Sequence, residues 1–361
     1  MGDERMHVSA DLDTVDKQIV RALQLRPRAP FSLIGSALGL SEQTAARRFR
    51  RLNRAGLMRV TAGFHARALG FTTWIVRVRC RPEGAQAVAE ALARRDDVSW
   101  VTIISGGWEV TFNLSAHSDR DAEDLLVRLL PKTTPVIDVS AAAILHSFAG
   151  EDPADWQGWR DMLTADQVRH VRAAPVPAAG QATRRPRHAW SPDDGDAAIL
   201  DALVLDGRAE YSALARAAGT TLGKARRRVD ALLASGVIYL DVDIAPAATG
   251  NAAPVVVWLT VAPGRLDAVG HAIAAHPAVP FAAALTGPAN IMATLSTATL
   301  DDAYRFVTDS LGPLDGITGY EVTPMLRHVK QAGAYVVDGR LSVSPAGPAR
   351  PAKAPARRGN R

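Results

Sequence analysis

DKQIVRALQLRPRAPFSLIGSALGLSEQTAARRFRRLNRAGLMRV, residues 16–60, decides how this chain is read, because it occurs twice. Shifted by 180 positions it falls without a gap on residues 196–240, and 15 of the 45 positions are identical, among them Asp16, Ile19, Leu23, Arg28, Gly39, Arg47, Arg48, Leu52 and Gly56. Self-similarity at a fixed offset marks a duplicated unit, and this offset is far too long for a solenoid repeat. Whole domains are duplicated.

Within the first copy, Val15, Ile19, Ala22 and Leu23 recur at helical spacing and predict a first helix. Pro27 and Pro30 break it, since proline cannot continue a helix interior. Residues 31–38 predict a short second helix ended by Gly39, the residue type that most easily takes a left-handed C-terminal cap. Ser41 is placed as the N-cap of a third helix that runs to Ala55 and is closed by Gly56. Two helices joined by a short glycine-containing turn form a helix-turn-helix. Residues 57–62 follow it as a short strand or wing.

The third helix carries the functional signal. Ala45, Phe49 and Leu52 form its buried stripe; Gln43, Arg47, Arg50 and Arg54 fall on the opposite face, with Thr44, Ala46 and Arg51 on the flanks. Arg48 lies beside the stripe, where it reads as a brace to the backbone. An arginine run is usually a solvated face. Here residues 41–55 hold five arginines against the single acid Glu42, behind a turn and a cap, with small polar residues at the end where recognition helices touch base edges. Ser41, Gln43, Thr44, Arg47, Arg48, Arg50 and Arg51 are therefore the expected contacts to double-stranded DNA.

In the second copy Ala225, Val229 and Leu232 keep the stripe, and Lys224, Arg226, Arg227 and Arg228 are the expected DNA contacts. Its outer face differs: Gly223, Asp230, Ala231 and Ala234 stand where the first copy has Gln43, Arg50, Arg51 and Arg54. Gly223 lacks the amide that pairs with adenine, and Asp230 repels phosphate, so the first copy is expected to read bases and the second to hold the backbone.

At 361 residues and 47% hydrophobic content the chain is long enough for several small globular domains. One cysteine, Cys80, excludes an intramolecular disulfide framework and suits a reducing cytoplasm. No stretch is long and apolar enough to span a membrane, and the first residues lack a signal-peptide core, so a cytoplasmic protein with no membrane partner is expected. The net charge of +5 is local: residues 339–361 carry six basic residues and no acid, leaving the remainder nearly neutral.

After each helix-turn-helix comes the order strand-helix-strand-strand-helix-strand, the ferredoxin-like split pattern. In the first half the strands fall at 73–79, 98–105, 108–114 and 136–148, with Ile137, Val139, Ala141, Ala143 and Leu145 alternating along the last. The second half repeats the order at an offset of 181. The fold class is α+β: two tandem units, each a winged helix-turn-helix followed by a ferredoxin-like βαββαβ domain. The expected boundaries are 12–62 and 191–242 for the helix-turn-helix domains and 70–150 and 253–332 for the sheet domains. Residues 151–190 read as a packed extension and flexible linker, and 339–361 as a disordered basic tail. One sheet face would carry the helices, and the other would be open to a partner sheet, giving an internal pseudo-dimer.

This arrangement resembles the Lrp/AsnC family of feast/famine transcription regulators. The resemblance rests on Leu12-Asp13, Asp16, Ile19 and Leu23 in the first helix and Gly39-Leu40-Ser41 at the turn. Arg47-Arg48, Arg51-Leu52 and Gly56, then Ser105-Gly106-Gly107-Trp108-Glu109 between the middle strands, complete it. It implies that the sheet domains mediate dimerisation and bind an amino acid or similar effector near the glycine turn. The implied effector residues are Ser105, Gly106, Gly107, Trp108, Glu109, Thr286, Gly287 and Asn290. Glu109 and Asn290 stand where the family usually carries aspartate. Further assembly into a homo-oligomer is also expected, with no cofactor, no metal and no catalytic residue. Two alternatives remain: an effector-binding module that has lost DNA binding, and an enzyme. Sirohaem decarboxylases resemble this fold and would need histidines and arginines converging in the sheet-domain cleft. The candidates are His65, His117, His146, His271, His276 and His328.

Overall fold

A computed structural model of the chain describes residues 12–65, 69–116, 118–152, 155–173 and 194–342. The first half opens with α1 (Thr14–Leu25), α2 (Phe31–Leu38) and α3 (Glu42–Arg54). Asp13 caps α1 by accepting the Asp16 N–H at 2.8 Å, α2 stops at Gly39 with φ 69°, and the Ser41 Oγ accepts the Thr44 N–H of α3 at 3.1 Å. These caps take up donors that a helix end leaves without intrahelical partners. Ile19, Leu23, Ile34, Ala45 and Leu52 close a shared core beneath the three helices.

The chain continues through β1 (Met58–Phe64), β2 (Thr72–Cys80), α4 (Ala85–Ala93), β3 (Val98–Ile104), β4 (Glu109–Ala116), α5 (Asp119–Glu123) and β5 (Val136–Ala149). α5 runs into a wider π-helical turn over Asp124–Leu129. α6 (Ala165–Ala173) then packs back on the first helical unit through Val171, together with Trp159 and Leu163. The second half repeats this with α7 (Asp194–Leu205), α8 (Tyr211–Ala217), α9 (Leu222–Ala234) and β6 (Ile238–Ile244). The short α10 (Pro246–Thr249), β7 (Val255–Val261), α11 (Leu266–Ala274), β8 (Phe281–Leu285), β9 (Ile291–Leu295), α12 (Leu300–Arg305) and β10 (Ile317–Gln331) follow, and a hairpin of β11 (Ala334–Val337) and β12 (Arg340–Ser342) ends the described chain.

The two sheet domains have the same antiparallel order, β3-β4-β2-β5 and β8-β9-β7-β10. Each last strand is long enough to serve both sheets. β5 pairs with β2 and then, from Ile144 to Ala149, with β8; β10 pairs with β7 and then, from Met325 to Lys330, with β3. Eight strands therefore close on themselves, which leaves neither sheet with a bare edge. The helices lie outside, over Val76, Phe112 and Leu114 in one half and Val257, Leu259 and Ile291 in the other. Between the sheets, Ile75, Ile104, Val256, Trp258 and Leu285 form a separate apolar core. The expected pseudo-dimer is built by strand exchange.

Two expectations are corrected. The strand after each helix-turn-helix is not a wing of its own unit: β1 pairs antiparallel with β6, from Met58 opposite Ile244 to Phe64 opposite Ile238. Each unit supplies only one such strand, whose buried N–H and C=O groups need partners, and the other copy provides them. The tail expected from residue 339 begins later, because Arg340–Ser342 forms β12, with the Leu341 N–H on the Gly56 carbonyl at 2.8 Å and Arg340 Nη1 on that of Ala55 at 2.8 Å. Residues 343–361 and residues 174–190 of the expected extension and linker lie outside the described residues.

Candidate nucleic-acid interface and ligand cavities

On α3 the stripe of Ala45, Phe49 and Leu52 packs inward, and Ser41, Gln43, Arg47, Arg50, Arg51 and Arg54 are exposed. Arg47, Arg50, Arg51 and Arg54 line one shallow concavity. Thr44 is half-buried, and its hydroxyl accepts from that of Ser41 at 2.9 Å. Arg48 braces the unit, with Nη1 donating to Asp13 at 2.6 Å and to Asp16 at 2.9 Å. Those two hydrogen bonds raise the Arg48 pKa above its ordinary value. Arg51 also reaches Asp16, whose carboxylate is only 1% exposed, so one buried acid anchors two arginines of the outer helix. On α9, Lys224, Arg226 and Arg227 are exposed, Arg226 lies 4.0 Å from Asp230, and Arg228 pairs with Asp196 at 3.5 Å, the same brace in the second copy.

The two helical units are clamped by a reciprocal contact. Arg28 donates to the carbonyls of Gly207 and Ala209 at 2.7 and 2.8 Å, and Arg208 donates to those of Pro27 and Ala29 at 2.6 and 2.8 Å. Arg28 stacks 4.6 Å over Tyr211, and Arg208 lies 4.4 Å over Phe31 and 5.3 Å over Phe49. Each arginine and each pair of carbonyls is the other's counterpart at the repeat offset, as are Phe31 and Tyr211, whereas Phe49 corresponds to Val229. Arg28 is among the repeated residues, but nothing local indicates that its partner is the other copy.

At the first glycine turn, Ser105, Gly106 and Gly107 have φ 54°, 68° and 99°, and Trp108 is partly exposed under the Arg79 guanidinium, 5.1 Å away. Glu109 is buried against Arg77 and accepts the Ser105 hydroxyl at 3.1 Å. Arg77 also bonds Glu321 at 2.7 and 3.0 Å and stacks 4.6 Å over Trp258. Burial alone would lower the Arg77 pKa, and the Glu321 and Glu109 hydrogen bonds raise it instead. At the second turn, the Asn290 amide holds both the N–H and the carbonyl of Val261, at 2.8 and 2.7 Å. The Thr286 hydroxyl accepts the Ala143 N–H at 2.8 Å, tying the halves together. Thr286 and Gly287 line a cavity of about 360 Å³ with Arg77, Trp258 and Glu321; Ser105, Gly106, Gly107, Trp108, Glu109 and Asn290 do not border it. The eight residues are thus not gathered around one space.

A different cavity, of about 390 Å³, lies between the two sheets and the β1–β6 ribbon. On β4, Val110, Phe112 and Leu114 turn to the helices, while Thr111, Asn113 and Ser115 turn to this space. Thr294, Ser296 and His328 line it from the second half, and Tyr239, Asp241 and His65 from the ribbon side. Burial drives the His328 pKa down to about 4, so its ring, 3.2 Å from the Thr102 hydroxyl, is neutral at neutral pH. Burial, followed by the Asp243 charge, pushes Asp241 up to about 7. His65 faces Glu151 at 3.6 Å and the Tyr239 ring at 4.7 Å. The other candidate histidines are elsewhere. His146 stacks on Phe148 and His271, and His276 packs on Phe306 with its pKa lowered by burial; His117 lies outside the described residues. No group of three metal-ligating side chains occurs among the described residues.

Against known proteins, the AsnC-type helix-turn-helix domain matches residues 12–53 and again 193–233, and the Lrp/AsnC ligand binding domain matches residues 254–335. An uncharacterized HTH-type transcriptional regulator of Pyrococcus horikoshii is 30% identical over 142 residues, 39% of this chain and 89% of that protein. The chain belongs to the Lrp/AsnC family. The HTH-type transcriptional regulator LrpA of the same organism is 29% identical over 137 residues, 37% of this chain and 97% of LrpA. Each of these relatives therefore corresponds to a single unit, and this Lrp/AsnC chain holds two. Among solved structures, the siroheme decarboxylase NirDL superposes with a TM-score of 0.58 at 14% identity, covering 89% of this chain and 93% of NirDL. That likeness concerns the fold of the whole tandem arrangement.

Proposed function

We propose that this Lrp/AsnC-family chain is a sequence-specific transcriptional regulator that binds double-stranded DNA. The observation that carries the reading is the exposed set Arg47, Arg50, Arg51 and Arg54 on one capped helix, held on a buried acid. The names of the relatives, both HTH-type transcriptional regulators, support it. In this reading Ser41, Gln43, Thr44 and Arg47 meet base edges, Arg50 and Arg51 meet phosphates, and Arg48 holds the helix for them. Lys224, Arg226, Arg227 and Arg228 hold the backbone through the second copy. A small effector, such as an amino acid, belongs to the same reading at the glycine turns. It would meet Trp108 and the main chain of Ser105, Gly106 and Gly107, with Thr286 and Gly287 in the second copy; Glu109 and Asn290 already have partners and would act by shaping the turns. Leu145 and Leu326, counterparts on β5 and β10, are 50% and 63% exposed and form the proposed contact for further homo-oligomer assembly. No helix among the described residues is long and apolar enough to cross a membrane, and the proposed place of action is the cytoplasm, where the DNA is.

The second reading is catalysis, favoured by the tandem likeness to a decarboxylase. A decarboxylase must hold the carboxylate that its substrate loses. The described residues around the larger cavity include Glu151, Asp152, Asp241 and Asp243 and neither lysine nor arginine, a poor match to an anion. The regulator reading is therefore preferred. Its test is a titration of a site selected from random DNA, from low to physiological salt. Affinity should fall steeply as arginine–phosphate contacts release counterions. A flat titration, or affinity equal to that for random DNA, overturns the reading.

A further inference from the structure

Pairing of the two sheets creates a space to which both halves contribute the same positions. At one end of the shared interior Ile75, Ile104, Val256, Trp258 and Leu285 interdigitate. At the other, the lining pairs Asn113 with Thr294, Ser115 with Ser296 and Ser147 with His328, counterparts at the offset of 181. Both members of each pair are polar, so this end is able to hydrogen-bond from either copy. Thr111, next along the same face of β4, is only 7% exposed, and its Oγ1 has no hydrogen-bond partner among the described residues. The Trp156 Nε1 at the same cavity is also buried and unpartnered among them. Buried polar groups are nearly always hydrogen-bonded, to protein or to something held beside them, so these two atoms point to an occupant.

The chemistry of the wall selects the occupant. The Thr111 hydroxyl and the Asn113 amide can each donate and accept, whereas the Trp156 Nε1 only donates. A ligand matched to all three carries several groups that themselves donate and accept, which is the property of alcohols. Trp100 and Phe281, counterparts at the same offset, add flat apolar faces on which the C–H side of a sugar ring can lie. A net charge on the ligand finds no strong counterpart. Asp243 is taken by Arg59 at 2.9 Å, and His328 is neutral at neutral pH. Asp241, raised by burial to about 7, is only partly ionised there. Glu151 and Asp152 are exposed, where salt screens them, and the lining described holds neither lysine nor arginine. The volume of about 390 Å³ lies within the range of small-molecule sites. We propose that the cavity between the sheets and the β1–β6 ribbon is a second ligand site, distinct from the glycine turns, and that it takes one small uncharged sugar held by both halves at once. Phe64 and Tyr239 of the ribbon belong to the wall, so the ligand touches the element that joins the two helical units. Any effect of the sugar on DNA affinity rests on the regulator reading; its binding does not.

The test uses the full chain without DNA, titrated calorimetrically at neutral pH, so its failure is separate from any failure to bind DNA. The probes are glucose, galactose, mannose, ribose and maltose, with the amino and uronate derivatives of the hexoses as charged counterparts and cyclohexanol as an apolar ring. At least one neutral sugar should bind, at least about tenfold more tightly than its charged derivatives and than cyclohexanol. In proton–nitrogen spectra that sugar should shift the indole N–H signal that Trp156→Phe removes. Thr111→Val keeps the shape and removes a hydroxyl that has no partner, so the urea midpoint should not fall, while sugar affinity should drop about tenfold. Ser115→Phe should abolish binding with an unchanged circular-dichroism spectrum. The proposal is overturned if no sugar gives heat at millimolar concentration, which leaves water as the occupant, or if charged derivatives or cyclohexanol bind as tightly. It is equally overturned if the Trp156 signal stays in place or Thr111→Val keeps full affinity.

Discussion

Arg47 and Arg227 are repeat counterparts on faces that have diverged around them, because Arg50 and Arg54 in the first copy correspond to Asp230 and Ala234 in the second. Arg47→Ala should cost about 1–3 kcal/mol of DNA affinity and relax the preferred sequence, the loss of a bidentate base contact. Arg227→Ala should weaken all sequences about evenly and lower the salt slope by about one unit, the loss of a phosphate contact. Selecting sites from random DNA with each variant separates the two; equal changes in preferred bases would mean that both helices read sequence. The clamp residues Arg28 and Arg208 act on stability instead. Each gives two charge-assisted hydrogen bonds to carbonyls, and Arg208 also covers the rings of Phe31 and Phe49, where Arg28 covers only Tyr211. Arg208→Ala should therefore destabilise by about 2–3 kcal/mol and Arg28→Ala by somewhat less in urea denaturation. An Arg28→Ala loss larger than that of Arg208→Ala would contradict the role given to stacking.

The β1–β6 ribbon is the element on which both units depend, and a cross-strand ion pair sits inside it. Arg59 and Asp243 stand directly opposite in the register, with Nε to Oδ2 at 2.9 Å and side chains 9% and 3% exposed. Removing one member strands the other without compensation, so Arg59→Met should cost about 3–5 kcal/mol, whereas Arg59→Met combined with Asp243→Leu should recover most of it. A double variant no more stable than the single, measured by urea midpoint, would show that the pair does not behave as a buried unit. The ribbon also shows where the sequence stops being readable. Gly39, the Ser41 cap and the Ala45–Phe49–Leu52 stripe are local signals, and the helix-turn-helix was legible from them. Met58 and Ile244 are distant in sequence, and a lone strand carries no mark of its partner, so β1 read as a wing. The alternation of Thr111, Asn113 and Ser115 with Val110, Phe112 and Leu114 was visible too, but it reads as a solvent-facing strand until the second sheet is known to cover it. Glu109 was legible as a charge at a glycine turn; its engagement by Arg77 required the fold.

At the scale of the molecule, the ribbon places a titrating acid between the two sheets and the helical units. Asp241 is raised from the ordinary 3.8 to about 7 by burial first and then by Asp243, with Asp152 adding to the rise and Arg59 and the Val242 N–H opposing it; Tyr239, Glu151, His65 and the neutral His328 also face the space. Between those two pH values the folded chain keeps a proton that the unfolded chain releases, so this group's contribution to stability declines as pH rises to about 7 and is level above it. Asp241→Asn should flatten that decline in urea denaturation between pH 5 and 7, and a variant that keeps the wild-type pH dependence would remove Asp241 as its source. Strand closure makes the halves interdependent. β5 ends in the second sheet, β10 ends in the first, β1 and β6 have only each other, and the arginine clamps run both ways. Residues 1–180 and 190–361, expressed together, should copurify as a 1:1 complex that retains DNA binding. Expressed alone, residues 1–180 expose the end of β5 and the free edge of β3, which are complementary in a second copy, and should form a homodimer through them. Light scattering on the separate and mixed fragments is the measurement. Fragments that stay monomeric and apart at micromolar concentration would show that strand exchange holds the halves only while they share one chain.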